Sequence, residues 1–367
     1  MKKMNRRDFL RYGAGVLSSL TLPSFLHNCS DFEGIIGQYL QNVTENRATV
    51  CWIDYRGIDL EFKGDKNRTL EHHCESGEVI NQVQLKNLEP GKTYEYSIDG
   101  KKRSFRTKPN IKEPFSFLVY GDSQIKTEST SKRHRKVIKQ MKKYDASFVI
   151  HLGDIIHHGN NFLQWTDFLS DIEPISGKIP YYFAIGNHEY YPKSGNHKEN
   201  SKNYFKLLDL PGKERYYIFE WGDCRFIFLD STKLIKNSKL SQLNLLNKMQ
   251  EDKMNIVIFH HPIYGNGKTN EEEKLKNIFE DRLDNADIVL SGHRHNYQRH
   301  LINDTNYIVS GGGGGPLGAF RDEETLNFGA KRHHFINVDV GEKLDFTVIG
   351  NRGDVIDSFS IENRFWR

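Results

Sequence analysis

Apolar and polar residues alternate one by one in the amino-terminal part of the chain. Between residues 34 and 109 this alternation runs through four segments, RATVCWIDY, LEFKG, EVINQVQLKNL and KTYEYSI. The turn-forming sequences EPG at 89–91 and DG at 99–100 flank the last segment. Such alternation is typical of β-strands with one buried face. We therefore predict a small all-β sandwich over residues 31–109, followed by a linker in the sequence KPNIKEP.

After residue 114 the pattern changes to near-continuous apolar runs, which are separated by polar segments of helical or loop character. The runs are FSFLVY, ASFVIHL, YYFAI, NIVIF and ADIVL. Runs of this kind are typical of strands that are buried on both faces, as in α/β sheets. WGD predicts a hairpin turn, and the tail from NYIVS onward predicts antiparallel strands. The predicted fold class of residues 114–367 is therefore α/β.

Each buried run ends in a polar cluster. The clusters are GDSQ at 121–124, GDIIH at 153–157, GNHE at 186–189, HHP at 260–262 and SGHRH at 291–295. Open α/β sheets bind ligands at the carboxyl ends of their strands, because the loops that follow emerge on one side. The five clusters are therefore predicted to converge on one site.

The donors collected in these clusters are Asp, Asn and His, with no thiolate. Oxygen donors mixed with imidazole suit Mn, Fe or Zn, and their number is too large for one four-coordinate structural site. Two adjacent divalent ions fit better, because a carboxylate can bridge them and together they can activate a hydroxide and hold a phosphoryl group.

The order GD, GDxx, GNHE, VxxH (257–260) and GHxH resembles the calcineurin-like metallophosphoesterases. GHRHNYQR and NYIVSGGGGG resemble the purple acid phosphatase branch, and VQLKNLEPGKTYEYSI with FRTKP resembles the late strands of a fibronectin type III-like domain. The resemblance implies a four-layer α/β-β/α sandwich behind the β-sandwich. It also implies hydrolysis of small phosphate monoesters by a hydroxide held between two metal ions.

The resemblance also implies individual roles. The first metal would be bound by Asp122, Asp154 and His295. The second would be bound by Asp154, Asn187, His260 and His293, so that Asp154 bridges the two ions. His188 would act as general acid or transition-state donor, with Glu189 orienting it. Purple phosphatases have a further histidine after VxxH; the sequence YGNGKTNEEE has none, which leaves the second acid open.

The chain departs from the family around the first metal. Purple phosphatases have tyrosine at the position of His157, and most other members have histidine at the position of Gln124. His157 could replace the tyrosine as a ligand or merely line the pocket. His158, His261 and His300 lack motif support, and His261 is expected to pack or orient a neighbour.

Residues 1–30 resemble an export signal, with NRRDFLR at 5–11 similar to a twin-arginine motif. Cys29 stands where a lipoprotein signal places its acylated cysteine, which would anchor the chain to a membrane. The net charge of +4 is that of the first 28 residues, which have five basic side chains and one acidic side chain, so charge gives no support for nucleic-acid binding. We expect a periplasmic or cell-surface protein.

Four cysteines without CxxC spacing argue against a zinc ribbon. Cys51 and Cys74 could pair outside the cytoplasm, whereas Cys224 is expected to be a buried thiol. The glycine run at 311–315 is expected to be a flexible loop rather than a phosphate contact.

Three functions are compatible with the sequence. The first is an exported phosphatase acting on phosphate monoesters. The second is a phosphodiesterase acting on nucleotides or lipid headgroups through the same centre. The third is a non-enzymatic surface binding module with a vestigial site. The sequence does not specify the oligomeric state.

Overall fold

The structure is a computed structural model. It describes residues 35–54, 60–62, 68–75, 78–192, 201–212, 215–236, 240–265, 269–279, 281–320 and 325–366. The predicted export signal at 1–30, including Cys29, lies outside them. No helix within the described segments is both long enough and apolar enough to span a membrane.

The amino-terminal strands form two small antiparallel sheets. The strands are β1 (Ile36–Gln41), β2 (Arg47–Asp54), β3 (Leu60–Phe62), β4 (Arg68–Glu75), β5 (Glu78–Lys86), β6 (Thr93–Ile98) and β7 (Lys101–Arg106). One sheet has the order β1-β2-β5-β4 and the other β3-β6-β7. Trp52, Val83 and Phe105 are buried in the core between them. The alternating pattern thus produces a small β-sandwich, to which the structure adds β1 and β4.

The remaining strands form two larger sheets. They are β8 (Phe115–Tyr120), β9 (Phe148–His151), β10 (Tyr181–Phe183), β11 (Tyr217–Trp221), β12 (Cys224–Phe228), β13 (Met254–Ile258), β14 (Ile288–Ser291), β15 (Tyr297–Ile302), β16 (Thr305–Ser310), β17 (Leu326–Ala330), β18 (His334–Val340), β19 (Lys343–Gly350) and β20 (Val355–Glu362). The six-stranded sheet has the order β10-β9-β8-β18-β19-β20, and the seven-stranded sheet β11-β12-β13-β14-β16-β15-β17.

Several helices connect these strands. They are α1 (Glu128–Met141), α2 (Phe162–Ser176), α3 (Lys202–Leu207), α4 (Ser231–Ile235) and α5 (Asn270–Phe279), with 3₁₀ helices at His188–Tyr190 and Leu240–Lys248. Side chains of α1 and α2 pack with the six-stranded sheet, and those of α4 and α5 with the seven-stranded sheet.

The two large sheets pack face to face. Phe117 of β8 meets Phe226 of β12 edge to face, with ring centroids 5.3 Å apart. Successive residues of the seven-stranded sheet alternate between its two faces: Ile256 and Ile258 join the core between the sheets, whereas Val257 packs toward the outer helices. The layers are therefore helix, sheet, sheet and helix, and the predicted α/β-β/α fold class is confirmed.

Two parts of the strand prediction need correction. The tail is not uniformly antiparallel, because β16 pairs in parallel with β14. The sequence YQRHLI at 297–302 forms strand β15, which the sequence pattern did not predict, because three successive polar residues interrupt the apolar pattern. His300 therefore lies on this strand, where its Nδ1 is 3.0 Å from Oγ1 of Thr325.

The sandwich packs against the four-layer part through hydrogen bonds as well as apolar contacts. The Tyr39 hydroxyl donates to the Leu207 carbonyl at 2.6 Å, and the Tyr96 hydroxyl donates to the Gly177 carbonyl at 2.7 Å. Cys51 is a buried free thiol, and β5 lies between its strand and the strand of Cys74. The pairing of Cys51 with Cys74 is therefore excluded, whereas Cys224 is the buried thiol that was predicted.

Candidate metal centre

The five polar clusters lie at the carboxyl ends of strands from both large sheets. Those at 121–124, 153–157 and 186–189 follow β8, β9 and β10 of the six-stranded sheet. Those at 260–262 and 291–295 follow or overlap the ends of β13 and β14 of the seven-stranded sheet. Because the sheets pack face to face, loops of both sheets reach one site. The convergence is built by two sheets, not by one open sheet.

Two groups of donor atoms lie at this site. In what we name the first cluster, ligand atoms of Asp122, Asp154 and His295 lie within 4.8 Å of one another. Nε2 of His295 is 3.4 Å from Oδ1 of Asp122. Asp122 and Asp154 are almost completely buried, at 0% and 1% exposure. Two buried carboxylates so close together repel each other unless a cation lies between them.

What we name the second cluster consists of Asp154, Asn187, His260 and His293. Nε2 of His260 is 3.2 Å from Oδ2 of Asp154 and 3.0 Å from Oδ1 of Asn187. Nδ1 of His293 is 3.1 Å from the same amide oxygen. Asp154 belongs to both clusters, so a single carboxylate connects them.

Backbone carbonyls decide which nitrogen of each imidazole faces the clusters. Nδ1 of His260 pairs with the Leu152 carbonyl at 2.8 Å, and Nδ1 of His295 pairs with the Pro316 carbonyl at 2.6 Å. A carbonyl only accepts, so Nδ1 must carry the proton in both rings. The Nε2 lone pairs therefore face the carboxylates. This set of converging acceptors fits a cation.

Two histidines of the clusters have raised pKa values, which indicates an excess of negative charge at the site. Burial disfavours a charged His260, but the Asp154 and Asp122 carboxylates outweigh it and raise the pKa of His260 to about 10. Burial also opposes charge on His295, yet its contact with Asp122 raises its pKa. His293 behaves differently, because burial and the neighbouring His260 lower its pKa to about 3. The negative charge that favours a proton on His260 would equally favour a metal cation at this position.

Three of the proposed ligands have an unusual backbone conformation. Asp122, Asp154 and His293 have φ angles of 59°, 53° and 64°. Non-glycine residues rarely adopt this left-handed region, and such residues concentrate at functional sites. Hydrogen bonds hold the conformation; for example, the His293 N–H donates to the Asp122 carboxylate at 2.9 Å.

The glycine run at 311–315 is buried, and the expectation of a flexible loop was wrong. The Gly315 N–H donates to the Asp122 carbonyl at 2.9 Å, and a Cβ at Gly315 would lie 2.9 Å from Cε1 of His295. Side chains at these positions would therefore displace the ligand loops. The run allows backbone to pack directly behind the first cluster.

His188 lies beside the two clusters. Its Nδ1 pairs with the His157 carbonyl at 2.7 Å, so Nδ1 carries a proton and Nε2 faces the site. Nε2 is 3.9 Å from Oδ2 of Asp154 and 3.0 Å from Nε2 of Gln124. The amide of Gln124 can donate to His188, or accept from it when turned over. The side chain at position 124 therefore contacts the predicted acid.

Glu189 does not orient the imidazole of His188, and this part of the prediction needs correction. Its buried carboxylate accepts from the N–H groups of Gly186 at 2.7 Å, Asp154 at 3.0 Å and Ile155 at 2.8 Å. Burial and the Asp154 carboxylate raise the pKa of Glu189, and the N–H donors of Gly186 and Ile155 oppose this shift. Glu189 therefore fixes the backbone of the Asp154 loop, and the carbonyl of His157 orients His188 instead.

His157 lies next to His188, with ring centroids 4.8 Å apart. It is not in any group of three close donors found among the described residues. Its Nδ1 is buried without a hydrogen-bond partner. Burial and the nearby His188 lower the pKa of His157 to about 4, so the ring is neutral near pH 7. A neutral imidazole with an unpaired nitrogen can bind metal.

Two residues with side chains near the site, His151 and Glu271, were not predicted from the sequence. His151 accepts the Gly153 N–H at its Nδ1, so its Nε2 donates to Ser123 Oγ at 3.1 Å, directly behind the Asp122 loop. A histidine within the apolar run ASFVIHL was the available signal. Glu271 lies with His261 and His293 in a third group of close donors, and nothing in the run NEEE distinguished it.

Three further residues near the predicted motifs, His261, Arg299 and Tyr297, make structural contacts. His261 pairs through Nδ1 with Ser231 Oγ at 2.8 Å, and its ring centroid is 4.4 Å from that of His293. Arg299 forms an ion pair with Asp357 at 3.0 Å, and the Tyr297 hydroxyl donates to the same carboxylate at 2.8 Å. These two residues of the GHxHxYxR pattern thus connect β15 with β20.

Comparisons with known proteins agree with this architecture. Residues 115–297 match the model of the calcineurin-like phosphoesterase family. Among curated proteins, the chain is 29% identical over 249 residues to a probable inactive purple acid phosphatase 1 of Arabidopsis thaliana, covering 55% of this chain and 39% of that protein. It is 26% identical over 237 residues to purple acid phosphatase 22 of the same plant, covering 60% and 53%. The chain thus spans about half or less of these relatives' lengths.

Among solved structures, purple acid phosphatase PPD1 from yellow lupin (Lupinus luteus) seeds superposes with a TM-score of 0.74 at 18% identity, covering 89% of this chain and 74% of that one. At this identity the similarity shows a shared fold. Together with the match of residues 115–297 and the donor clusters, it shows that the chain contains a calcineurin-like metallophosphoesterase domain, the domain of a family of phosphoester hydrolases.

Proposed function

We propose that the protein is a metal-dependent phosphatase that hydrolyses phosphate monoesters. The observation that carries this proposal is the pair of donor clusters that share Asp154, in which carboxylate, amide and imidazole lone pairs converge. The domain family and the purple acid phosphatase relatives support a phosphoester substrate. A probable inactive relative makes direct measurement of turnover necessary.

The residues present suit two divalent ions, which we propose to be Fe, Mn or Zn. Asp122, Asp154 and His295 would hold the first, and the second cluster would hold the second. When bound, two such ions supply Lewis acidity and activate water next to a phosphoryl group. In its imidazolium form, His188 would donate the Nε2 proton to the leaving oxygen and keep its Nδ1–H bound to the His157 carbonyl.

The test is hydrolysis by the metal-loaded chain of an aryl phosphate monoester and of the corresponding diester. We expect a larger kcat/KM for the monoester, and no turnover of either compound by the metal-free chain. A larger value for the diester would favour the alternative, a phosphodiesterase acting on nucleotides or lipid headgroups. A chain that binds metal and turns over neither compound would favour a non-enzymatic binding module, for which the sandwich, proposed to be fibronectin type III-like, would be the binding surface.

His157 gives a spectroscopic test of the first metal site. In purple phosphatases, which the sequence resembles, tyrosinate at this position gives a visible charge-transfer band with ferric ion. A neutral imidazole brings one negative charge fewer, so we expect a colourless centre with two divalent ions. We expect His157→Tyr, loaded with iron and oxidised, to gain a visible absorption band. The buried, unpaired Nδ1 of His157 supports its proposed role as a ligand.

The matched variant for this test is His157→Phe, which keeps an aromatic ring but has no donor and should stay colourless. A His157→Tyr variant that binds iron without gaining colour would place residue 157 outside the ligand sphere. A wild-type protein that is purple as isolated would contradict the proposal of two divalent ions.

We also propose that the chain is exported by the twin-arginine route, which is supported only by the sequence of residues 1–30. Replacing Arg6 and Arg7 with lysine should leave the protein in the cytoplasm, because that translocon recognises the arginine pair. Fractionation of cells followed by immunoblotting measures this, and unchanged export would contradict it. Membrane retention that is lost in Cys29→Ala would support a lipid anchor.

A further inference from the structure

Apart from His157, four histidines surround the two clusters, and three of them have an acceptor behind the ring. The Leu152 carbonyl stands behind His260, the Pro316 carbonyl behind His295, and the His157 carbonyl behind His188. In each ring one N–H is bound to a fixed acceptor, so the other nitrogen is turned toward the site. This is the arrangement that fixes tautomer and ring orientation in metal-binding histidines.

In the fourth histidine, His293, the geometry is reversed. Its Nδ1 faces the second cluster, 3.1 Å from Oδ1 of Asn187. Its Nε2 points away, and the acidic group it meets is the Glu271 carboxylate, with Oε2 at 3.8 Å. If Nδ1 binds an ion, Nε2 must carry the proton. The acceptor for that proton is a charged side chain instead of a backbone carbonyl.

The first turn of α5 holds Glu271 at this position. Glu272 is buried and accepts from Arg294, within the loop of His293, at 2.9 Å. The Glu272 N–H also donates to Thr269 Oγ1 at 3.2 Å, which caps the helix. The turn is therefore connected to the loop that it faces. Glu271 itself is exposed, so its carboxylate can move the remaining distance toward Nε2.

A second imidazole converges on the same carboxylate. Ligand atoms of His261, Glu271 and His293 lie within 4.8 Å of one another. Nδ1 of His261 is occupied by Ser231 Oγ at 2.8 Å, which leaves Nε2 for Glu271. A carboxylate can accept from both rings at once, because its two oxygens offer about four lone pairs.

We propose that Glu271 is a positioning residue for the second metal site: its carboxylate accepts the Nε2–H of His293 and so holds Nδ1 toward the ion. The inference rests on the proposed function, because it requires an ion among the second cluster. A charged acceptor also makes the imidazole a stronger donor to the metal, and loss of such a partner typically weakens metal affinity about 10- to 100-fold.

The same three residues could instead be considered as a third metal site. That ion would need Nε2 of His293 while Nδ1 binds the second ion, so the ring would have to lose both protons. A carboxylate that accepts the Nε2–H leaves the imidazole neutral and requires no such deprotonation. The geometry therefore favours the positioning role over a third ion.

The experiment compares metal binding by the full chain and three variants. Glu271→Ala removes the acceptor, and Glu271→Gln keeps an acceptor oxygen without the charge. Glu273→Gln is the matched control, because Glu273 lies exposed in the first turn of the same helix and belongs to none of the donor groups found in the described residues. Zn²⁺ is titrated into each metal-free protein in competition with a chromophoric chelator.

We expect Glu271→Ala to lower the affinity for one of two Zn²⁺ equivalents by about 10- to 100-fold, with a smaller loss in Glu271→Gln. The affinity for the other Zn²⁺ equivalent should be unchanged, and so should both affinities of the Glu273→Gln protein. The unfolding temperatures of the metal-free variants should equal that of the metal-free wild-type protein. Unchanged affinities in Glu271→Ala would overturn the proposal. So would a third Zn²⁺ equivalent that Glu271→Ala alone abolishes. A wild-type chain that binds fewer than two ions would overturn the proposed function, and this inference with it.

Discussion

Asp154→Ala should abolish phosphoester hydrolysis and lower the affinity for both metal ions. The carboxylate of Asp154 belongs to both clusters, and its Oδ2 is 3.2 Å from Nε2 of His260. Its Oδ1 also accepts the His188 N–H at 2.9 Å, so the substitution affects the loop of the predicted acid as well. Removing one carboxylate thus leaves two ions without their shared anionic ligand. Bound metal measured by mass spectrometry, together with turnover, tests this expectation.

The informative comparison is with Asp122→Ala. Asp122 is equally buried but belongs to the first cluster alone. Its substitution should therefore lower the affinity for the first ion strongly and that for the second ion only weakly, through the lost acceptor of the His293 N–H. Loss of both ions in both variants would indicate general disruption of the site, which circular dichroism of the metal-free proteins can detect. An Asp154→Ala protein that is active and binds two ions would remove Asp154 from its bridging role.

His188→Ala should keep both metal ions and slow turnover by about 10²- to 10⁴-fold, the usual contribution of a general acid. Nε2 of His188 faces the site, while its Nδ1–H is fixed by the His157 carbonyl at 2.7 Å. The loss should be greater for an alkyl phosphate than for an aryl phosphate with a good leaving group, because a poor leaving group depends more on protonation. Steady-state rates on the two substrates measure this difference.

His158→Ala is a matched control for this variant, because it removes a neighbouring imidazole, 4.4 Å from His157 between ring centroids, that is not assigned to the chemistry. It should retain most of the turnover. Its rate relative to the wild-type protein should be the same for the alkyl phosphate and the aryl phosphate. A His188→Ala protein that loses less than about tenfold on the alkyl phosphate would make His188 structural.

The sequence by itself determined the fold class and the kinds of donor side chain that meet at the candidate site. Apolar runs such as FSFLVY, each followed by Asp, Asn or His, indicated strands with ligands at their ends. These signals are local, since periodicity and loop composition depend on neighbouring residues along the chain. The same local pattern predicted a β-sandwich, whose strands lie between residues 36 and 106, and the buried thiol of Cys224.

Only the tertiary structure decided which atoms meet. The sequence could not show that Glu189 holds the backbone of the Asp154 loop instead of the imidazole of His188, because those N–H groups come from a different strand end. It could not show that the glycine run packs behind Asp122. Nor could it select Glu271 from three successive glutamates. Each of these contacts joins segments that are separated along the chain, so its geometry depends on how strands, helices and sheets pack in three dimensions.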